Sequence, residues 1–240
     1  MKGLIVNTRP ENYRERFHEA FGGLGWRIID SPVLVSQPLH AVLPSADDFD
    51  SIIFTSQVAV DALPGKGDWR GKTAYAVGPA TAAACLRAGF VHTIQTGLDA
   101  KDLASFLAAA SFKKAFYPSA EEVSADLSLD DPARIQRMAI YRMSPAAQLS
   151  PEFRLAVGAE EALVVPLFSR RTARSFENLL KQAGIGRDDA HLVAVSISPD
   201  VLSADGGPWQ RQVVADKPTL EAVVAKTSAV VANMNSEANQ

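Results

Sequence analysis

A length of 240 residues leaves room for two domains of ordinary size or for one large one. Hydrophobic residues make up 47% and charged residues 21%, a globular balance in which each half can bury a core of its own. The formal net charge of −3 excludes a general nucleic-acid or membrane binder, because those need a basic field, so an anionic ligand would need a local cationic or amide-lined pocket.

Short apolar runs alternate with helical patterns along the whole chain, the signature of parallel βα units. Leu4-Ile5-Val6 reads as a buried strand, and Glu11 to Leu24 as a helix entered after Pro10 and stopped by Gly22, Gly23 and Gly25. The run from Trp26 to Val35 is too long for a compact buried strand and is interrupted by Pro32, so it is expected to leave one lobe and enter another. Asp50 to Phe54 is a strand leading into Thr55-Ser56, good N-cap chemistry for a helix around Val58 to Leu63. Lys72 to Val77 is the next strand, followed by Gly78-Pro79-Ala80-Thr81 and an alanine-rich helix to Ala88 that Gly89 closes. Ile94 to Thr96 is a short strand, and Asp99 caps a helix carrying Leu103, Phe106 and Leu107 at helical spacing. Lys114 to Tyr117 opens a second round of strand, helical stretch and strand. The order continues from Ala162 to about Val231, where Lys217-Pro218-Thr219 opens a last helix with Leu220, Val223 and Val224 on one face. The polar tail from Asn233 to Gln240 is expected to be disordered.

The two rounds are near copies. Trp26 to Pro32 is echoed by Arg137 to Pro145, Ile52-Ile53-Phe54-Thr55-Ser56 by Val165-Pro166-Leu167-Phe168-Ser169, and Ala74 to Gly78 by Leu192 to Ser196. Ser31 lies 113 positions before Ser144, Phe54 lies 114 before Phe168, and Ala76 lies 118 before Ala194. A tandem duplication with small insertions predicts two similar lobes and a cleft between them.

Cys85 is the only cysteine, which excludes an internal disulfide and a multi-thiolate metal site, and His18, His40, His92 and His191 form no short ligand spacing. Gly3 to Val6 is too short for a secretory apolar core, and no apolar run approaches the ~20 residues that span a bilayer. A soluble cytoplasmic protein, acting as a monomer without nucleic-acid or membrane partners, is the expectation.

Ligands of open parallel sheets collect beyond the carboxyl ends of the strands, where helix N-termini offer amides and partial positive charge. Thr8-Arg9-Pro10, Thr55-Ser56, Gly78-Pro79-Ala80-Thr81, Ser119, Ser169-Arg170-Arg171-Thr172 and Ser196-Ile197-Ser198 occupy such places and are the anion-binding candidates; helix capping is the plainer role open to each. No nucleophile elbow, Cys/His pair or Walker loop is present, and Gly22-Gly23-Leu24-Gly25 ends a helix where a dinucleotide loop would start one. The pairs Glu121-Glu122 and Glu160-Glu161 read as solvated faces.

Thr8-Arg9-Pro10 after the first strand, Ile53-Phe54-Thr55-Ser56 with Ala59-Val60, Ala76-Val77-Gly78 with Thr81-Ala82, Ile140-Tyr141-Arg142, Phe168-Ser169, and Val214-Ala215 with Pro218-Thr219 together resemble the uroporphyrinogen-III synthases. The resemblance covers nearly the whole chain in order. It implies an α/β fold of two similar domains with parallel sheets flanked by helices, joined by two extended connector strands. One domain would take residues 1–34 with 148–240 and the other residues 38–140, with 35–37 and 141–147 as connectors. It implies an enzyme that closes hydroxymethylbilane, a linear tetrapyrrole, to uroporphyrinogen III with inversion of the last ring and no cofactor or metal. It further implies Tyr141 as the acid for the departing hydroxyl, since an unperturbed tyrosine titrates near pH ~10 and donates while neutral. Thr81 matches a threonine near the catalytic site. Thr8, Arg9, Thr55, Ser56, Gly78, Pro79, Ala80, Ser119, Ser169, Arg170, Ser196 and Ser198 would hold the carboxylate arms.

Two departures stand out. Ser196-Ile197-Ser198-Pro199-Asp200 replaces a Gly-Pro-Thr-Thr-like turn, and Asp200 would repel a carboxylate; Ser119-Ala120-Glu121 lacks a glycine often found after the strand at Tyr117. A non-catalytic two-lobed receptor for a small anion fits the same composition, as does a structural double domain without a ligand.

Overall fold

A computed structural model describes residues 3–97, 100–123, 127, 131–202 and 206–237. Eleven strands are present among them: β1 Leu4–Asn7, β2 Arg27–Asp30, β3 Leu34–Pro38, β4 Ser51–Phe54, β5 Thr73–Ala76, β6 His92–Gln95, β7 Ala115–Ala120, β8 Ile135–Pro145, β9 Leu163–Leu167, β10 Leu192–Ser196 and β11 Arg211–Val214. The α-helices are α1 Arg14–Phe21, α2 Gln57–Ala62, α3 Lys66–Trp69, α4 Gly78–Arg87, α5 Ala100–Ala109, α6 Pro151–Gly158, α7 Arg170–Gln182 and α8 Leu220–Glu237. The chain divides into two compact units, Met1–Val35 with Ser144–Gln240, and Ser36–Met143.

The first unit holds a five-stranded sheet in the order β11-β10-β9-β1-β2, with every neighbouring pair parallel. The first strand of the chain therefore lies inside a sheet built mostly from the C-terminal half, with Leu4 opposite Leu163 and Ile5 opposite Val164. All four residues of β1 and all five of β9 are buried, as expected of parallel strands covered on both faces. One face packs Ile5, Val164, Val193 and Val195 against Phe17, Phe21, Trp26 and Val223. Phe17 stacks on Phe21 at 4.3 Å between ring centroids, and truncating either buried ring to alanine would cost about 3–5 kcal/mol. Elsewhere in the unit Phe153 meets Phe176 edge-on at 5.3 Å, and Phe176 stacks on the fully buried Trp209, whose indole N–H donates to Glu177 at 2.9 Å.

In the second unit the order is β3-β8-β7-β4-β5-β6, with β8, β7, β4, β5 and β6 successively parallel. One core face joins Ile52, Phe54, Trp69, Cys85, Phe90, Phe116 and Tyr141; the other joins Ile53, Tyr75, Leu103, Leu107, Phe112 and Tyr117. Phe106, on the same helix as Leu103, is exposed and lies beside Tyr75 instead of entering the core.

The run from Trp26 to Val35 resolves into β2 in one sheet and β3 in the other, divided at Ser31-Pro32-Val33. The helix expected over Glu11 to Leu24 is α1 flanked by two short 3-10 turns, and Gly25 ends it at φ +81°. Other expectations need correction. No helix occurs between β7 and β8 among the described residues. After β10 the described residues of the second copy form only a 3-10 turn, Pro199–Val201, where the first copy has the ten-residue α4. The tail is not irregular from Asn233, because α8 continues to Glu237; Val230 and Val231 are buried, and Trp26 donates its indole N–H to Asn235 at 3.0 Å. The Asp99 cap lies outside the described residues. No helix among the described residues is long and apolar enough to cross a membrane.

Candidate functional site

The candidate residues of the first unit gather at the carboxyl ends of β1, β9 and β10. Leu167 faces Ser196 across β9 and β10, and Thr8 directly follows β1, which pairs with the other edge of β9. Thr8 and Ser196 thus lie at the ends of the two strands that flank β9. Both are 0% exposed, and neither hydroxyl has a hydrogen-bond partner among the described residues. A buried hydroxyl without a partner is destabilising, so two at these strand ends mark a place kept for something other than packing.

Arg9 follows Thr8. Its guanidinium carbon lies 3.9 Å from the centre of the Tyr13 ring and 4.7 Å from that of Phe168, and no carboxylate among the described residues lies within ion-pair distance. Burial pushes its pKa below the ordinary arginine value, Tyr13 opposes the shift, and the nearby positive charge of Arg16 adds to it. An arginine keeps its proton in a protein regardless. A partly desolvated cation faced by aromatic rings and by no carboxylate is a ready partner for an anion.

Ser169 caps α7, accepting from the Thr172 N–H at 3.1 Å, with the two hydroxyl oxygens 2.9 Å apart. Capping, the plainer of its two roles, is therefore present. Arg170 is engaged by Asp200 of the altered turn: its Nε donates to the Asp200 carbonyl at 2.8 Å and Nη2 to Oδ2 at 3.2 Å. Ser198 donates to Asp200 Oδ1 at 2.6 Å. The Ser198 hydrogen bond, with Arg170 as a further contributor, holds the Asp200 carboxyl below the usual carboxylate range. The unusual aspartate thus occupies both Arg170 and Ser198.

The candidates of the second unit lie at the carboxyl ends of β4, β5 and β7 and within β8. The β7–β8 register slips between Ser119 and Ala120, so that Ser119 faces Ala139 while Ala120 faces Tyr141. Such an irregularity re-aims the following side chain. Tyr141, 5% exposed, joins the core face with Phe54 and Phe116, and its hydroxyl lies 2.9 Å from Ser56 Oγ. Ser56 also caps α2, accepting the Ala59 N–H at 3.2 Å. Either hydroxyl can be the donor of the Tyr141–Ser56 contact, because Ser56 keeps a second lone pair while accepting from Ala59.

Thr55 Oγ1 lies 3.4 Å from the Tyr117 hydroxyl. Ser119 sits inside β7 and not at a helix N-terminus; it accepts from Arg137 Nε at 2.9 Å and donates to the Ala120 carbonyl at 2.9 Å. Gly78 has φ +73° and donates its N–H to the Gly97 carbonyl at 2.8 Å, a conformation in which a side chain is strained. Pro79 and the exposed Ala80 begin α4, and Thr81 is buried in its first turn. Sequence reading passed over Tyr117 and Arg137, which reach Thr55 and Ser119 through pairing of distant segments, and Tyr13, which meets Arg9 four positions away. Among the described residues no group of three or more His, Cys, Asp or Glu could hold a metal ion.

These features define a duplicated α/β protein whose strand ends offer hydroxyls and a desolvated guanidinium, a class suited to a ligand rich in carboxylates. The sequence profile of uroporphyrinogen-III synthase HemD matches residues 15–225, and the chain belongs to the uroporphyrinogen-III synthase family, an enzyme family of tetrapyrrole biosynthesis. No curated protein matches the sequence. Among solved structures, the uroporphyrinogen-III synthetase of Helicobacter pylori aligns at a TM-score of 0.61 and 17% identity, covering 96% of this chain and 100% of that one. A Thermus thermophilus uroporphyrinogen III synthase aligns at a TM-score of 0.42 and 16% identity, covering 97% and 99%. At such identity the first likeness speaks for the fold.

Proposed function

We propose that this chain acts as a cyclising hydro-lyase on hydroxymethylbilane, and that its strand-end residues hold the substrate. The family match across residues 15–225, which takes in every strand end except that of β1, carries the reading. The hydroxyl on the first ring leaves as water with a proton from Tyr141, giving an azafulvene. The last ring attacks it through its substituted carbon to form a spiro intermediate. Breaking one bond of that intermediate and reclosing through the free carbon inverts the ring, so the net change is loss of one water.

The substrate is already reactive and closes spontaneously to the uninverted isomer. The protein's task is therefore to hold two ends in one geometry, and orientation of this kind contributes strongly to rate. Arg9, with the hydroxyls of Thr8 and Ser196 behind it, would take an acetate or propionate arm; the Gly78-Pro79-Ala80-Thr81 turn would take another. The 2.9 Å contact between the Tyr141 and Ser56 hydroxyls gives the phenol a polar partner, which supports it as proton donor. The reading takes the protein as a cytoplasmic monomer, consistent with a lone buried thiol at Cys85.

A coupled assay with freshly generated hydroxymethylbilane, resolving the two uroporphyrinogen isomers, tests it. The inverted isomer should dominate without added metal or nucleotide. An isomer ratio equal to that in buffer, together with tight binding of the bilane, would replace the enzyme by a receptor.

A further inference from the structure

Asp30, the last residue of β2, collects donors from three directions. Asn7 Nδ2 donates to Oδ1 at 2.8 Å, Arg14 Nε pairs with Oδ2 at 3.0 Å, and His18 Nε2 lies 3.1 Å from both oxygens. The Asp30 side chain is only 17% exposed, whereas those of Arg14 and His18 are open to solvent at 54% and 38%. The inward link is therefore the one to Asn7, itself 1% exposed.

Asn7 passes the constraint on. With its amide N–H committed to Asp30, its Oδ1 is oriented to accept the backbone N–H of Arg9 at 3.1 Å. Two backbone bonds brace the same turn, from Ser31 N–H to the Asn7 carbonyl and from Val33 N–H to the Thr8 carbonyl. The Asp30 carboxylate pairs with Arg14, and no carboxylate among the described residues pairs with Arg9. We propose that Asp30 is a positioning residue: through Asn7 it fixes the turn that presents the Arg9 guanidinium to a carboxylate of the substrate. This rests on the proposed substrate class and on Arg9 binding it.

Uroporphyrin III, the stable oxidised form of the product with the same acetate and propionate arms, serves as the binding probe, so no turnover is required. Asp30→Ala should weaken its binding about tenfold, the low end for loss of a charge-assisted hydrogen bond. Asn7→Ala should do the same, and Asp30→Asn, which keeps one acceptor for Asn7, should recover most of the loss. In an Arg9→Ala background Asp30→Ala should change binding less than about twofold, because coupled residues are non-additive. Thermal unfolding of each variant monitors the fold.

Additive losses in the Arg9→Ala background would make Asp30 merely structural. Tighter binding by Asp30→Ala would mean that its charge opposes the ligand, and absence of porphyrin binding by the wild type would remove the role of Arg9; either overturns the proposal. An active wild type with additive losses sinks this inference alone, whereas coupled losses with an uninverted product sink only the assigned reaction.

Discussion

Replacing Tyr141 by phenylalanine separates a proton donor from a packing residue. The ring stays in its core face with Phe54, Phe116 and Ile140, and only the hydroxyl 2.9 Å from Ser56 Oγ is lost. The net stability change from one such hydrogen bond is about 0.5–1.5 kcal/mol, which lowers the unfolding midpoint by a few degrees. General-acid assistance is typically worth about 10²–10⁴-fold, equivalent to about 2.7–5.4 kcal/mol in activation free energy. The two effects differ enough to be told apart. Ser56→Ala supplies the control, since it removes the α2 cap as well as the partner of Tyr141 and should cost about 0.5–2 kcal/mol of stability while keeping the phenol. Single-turnover closure of hydroxymethylbilane, measured well below both unfolding midpoints, should then show Tyr141→Phe slowed at least about a hundredfold and Ser56→Ala slowed much less. Equal losses of turnover in the two variants, in step with their losses of stability, would refute the acid role and leave Tyr141 as a packing residue within β8.

Asp200→Ala should free Arg170 and Ser198 and lower KM for the bilane several-fold at most, because exposed ion pairs contribute little; a higher KM would mean that Asp200 positions Arg170 for binding. The Asp200 carboxyl lies below its unfolded value, so its hold on Arg170 is present above that value and is lost as pH falls through the folded one. Burial pushes the Cys85 thiol up to about 12, so a maleimide should label the native protein far more slowly than the unfolded chain at pH 7.5–8 (about one unit below a free thiol). Rapid native labelling would show that α4 opens readily.

The order of strands and helices and the family were legible in the chain, because buried parallel strands such as Leu4 to Val6 and Leu163 to Leu167 write themselves as continuous apolar runs and because duplication repeats each motif at a near-constant offset. Local chemistry was legible too: Ser56 and Ser169 cap helices, and the alanine-rich α4 follows β5 at Gly78-Pro79. Pairing between distant segments was not. The register slip that turns Tyr141 toward Ser56 depends on how β7 and β8 align, and no spacing within either strand records it. The helix missing after β10, the Arg170–Asp200 contact and the Asp30–Asn7 link depend on side chains 23 to 30 positions apart or on a turn that diverged after duplication. Hydrophobic periodicity reports which face of an element is buried; which polar group meets which at the end of a sheet is decided only when the strands are laid side by side.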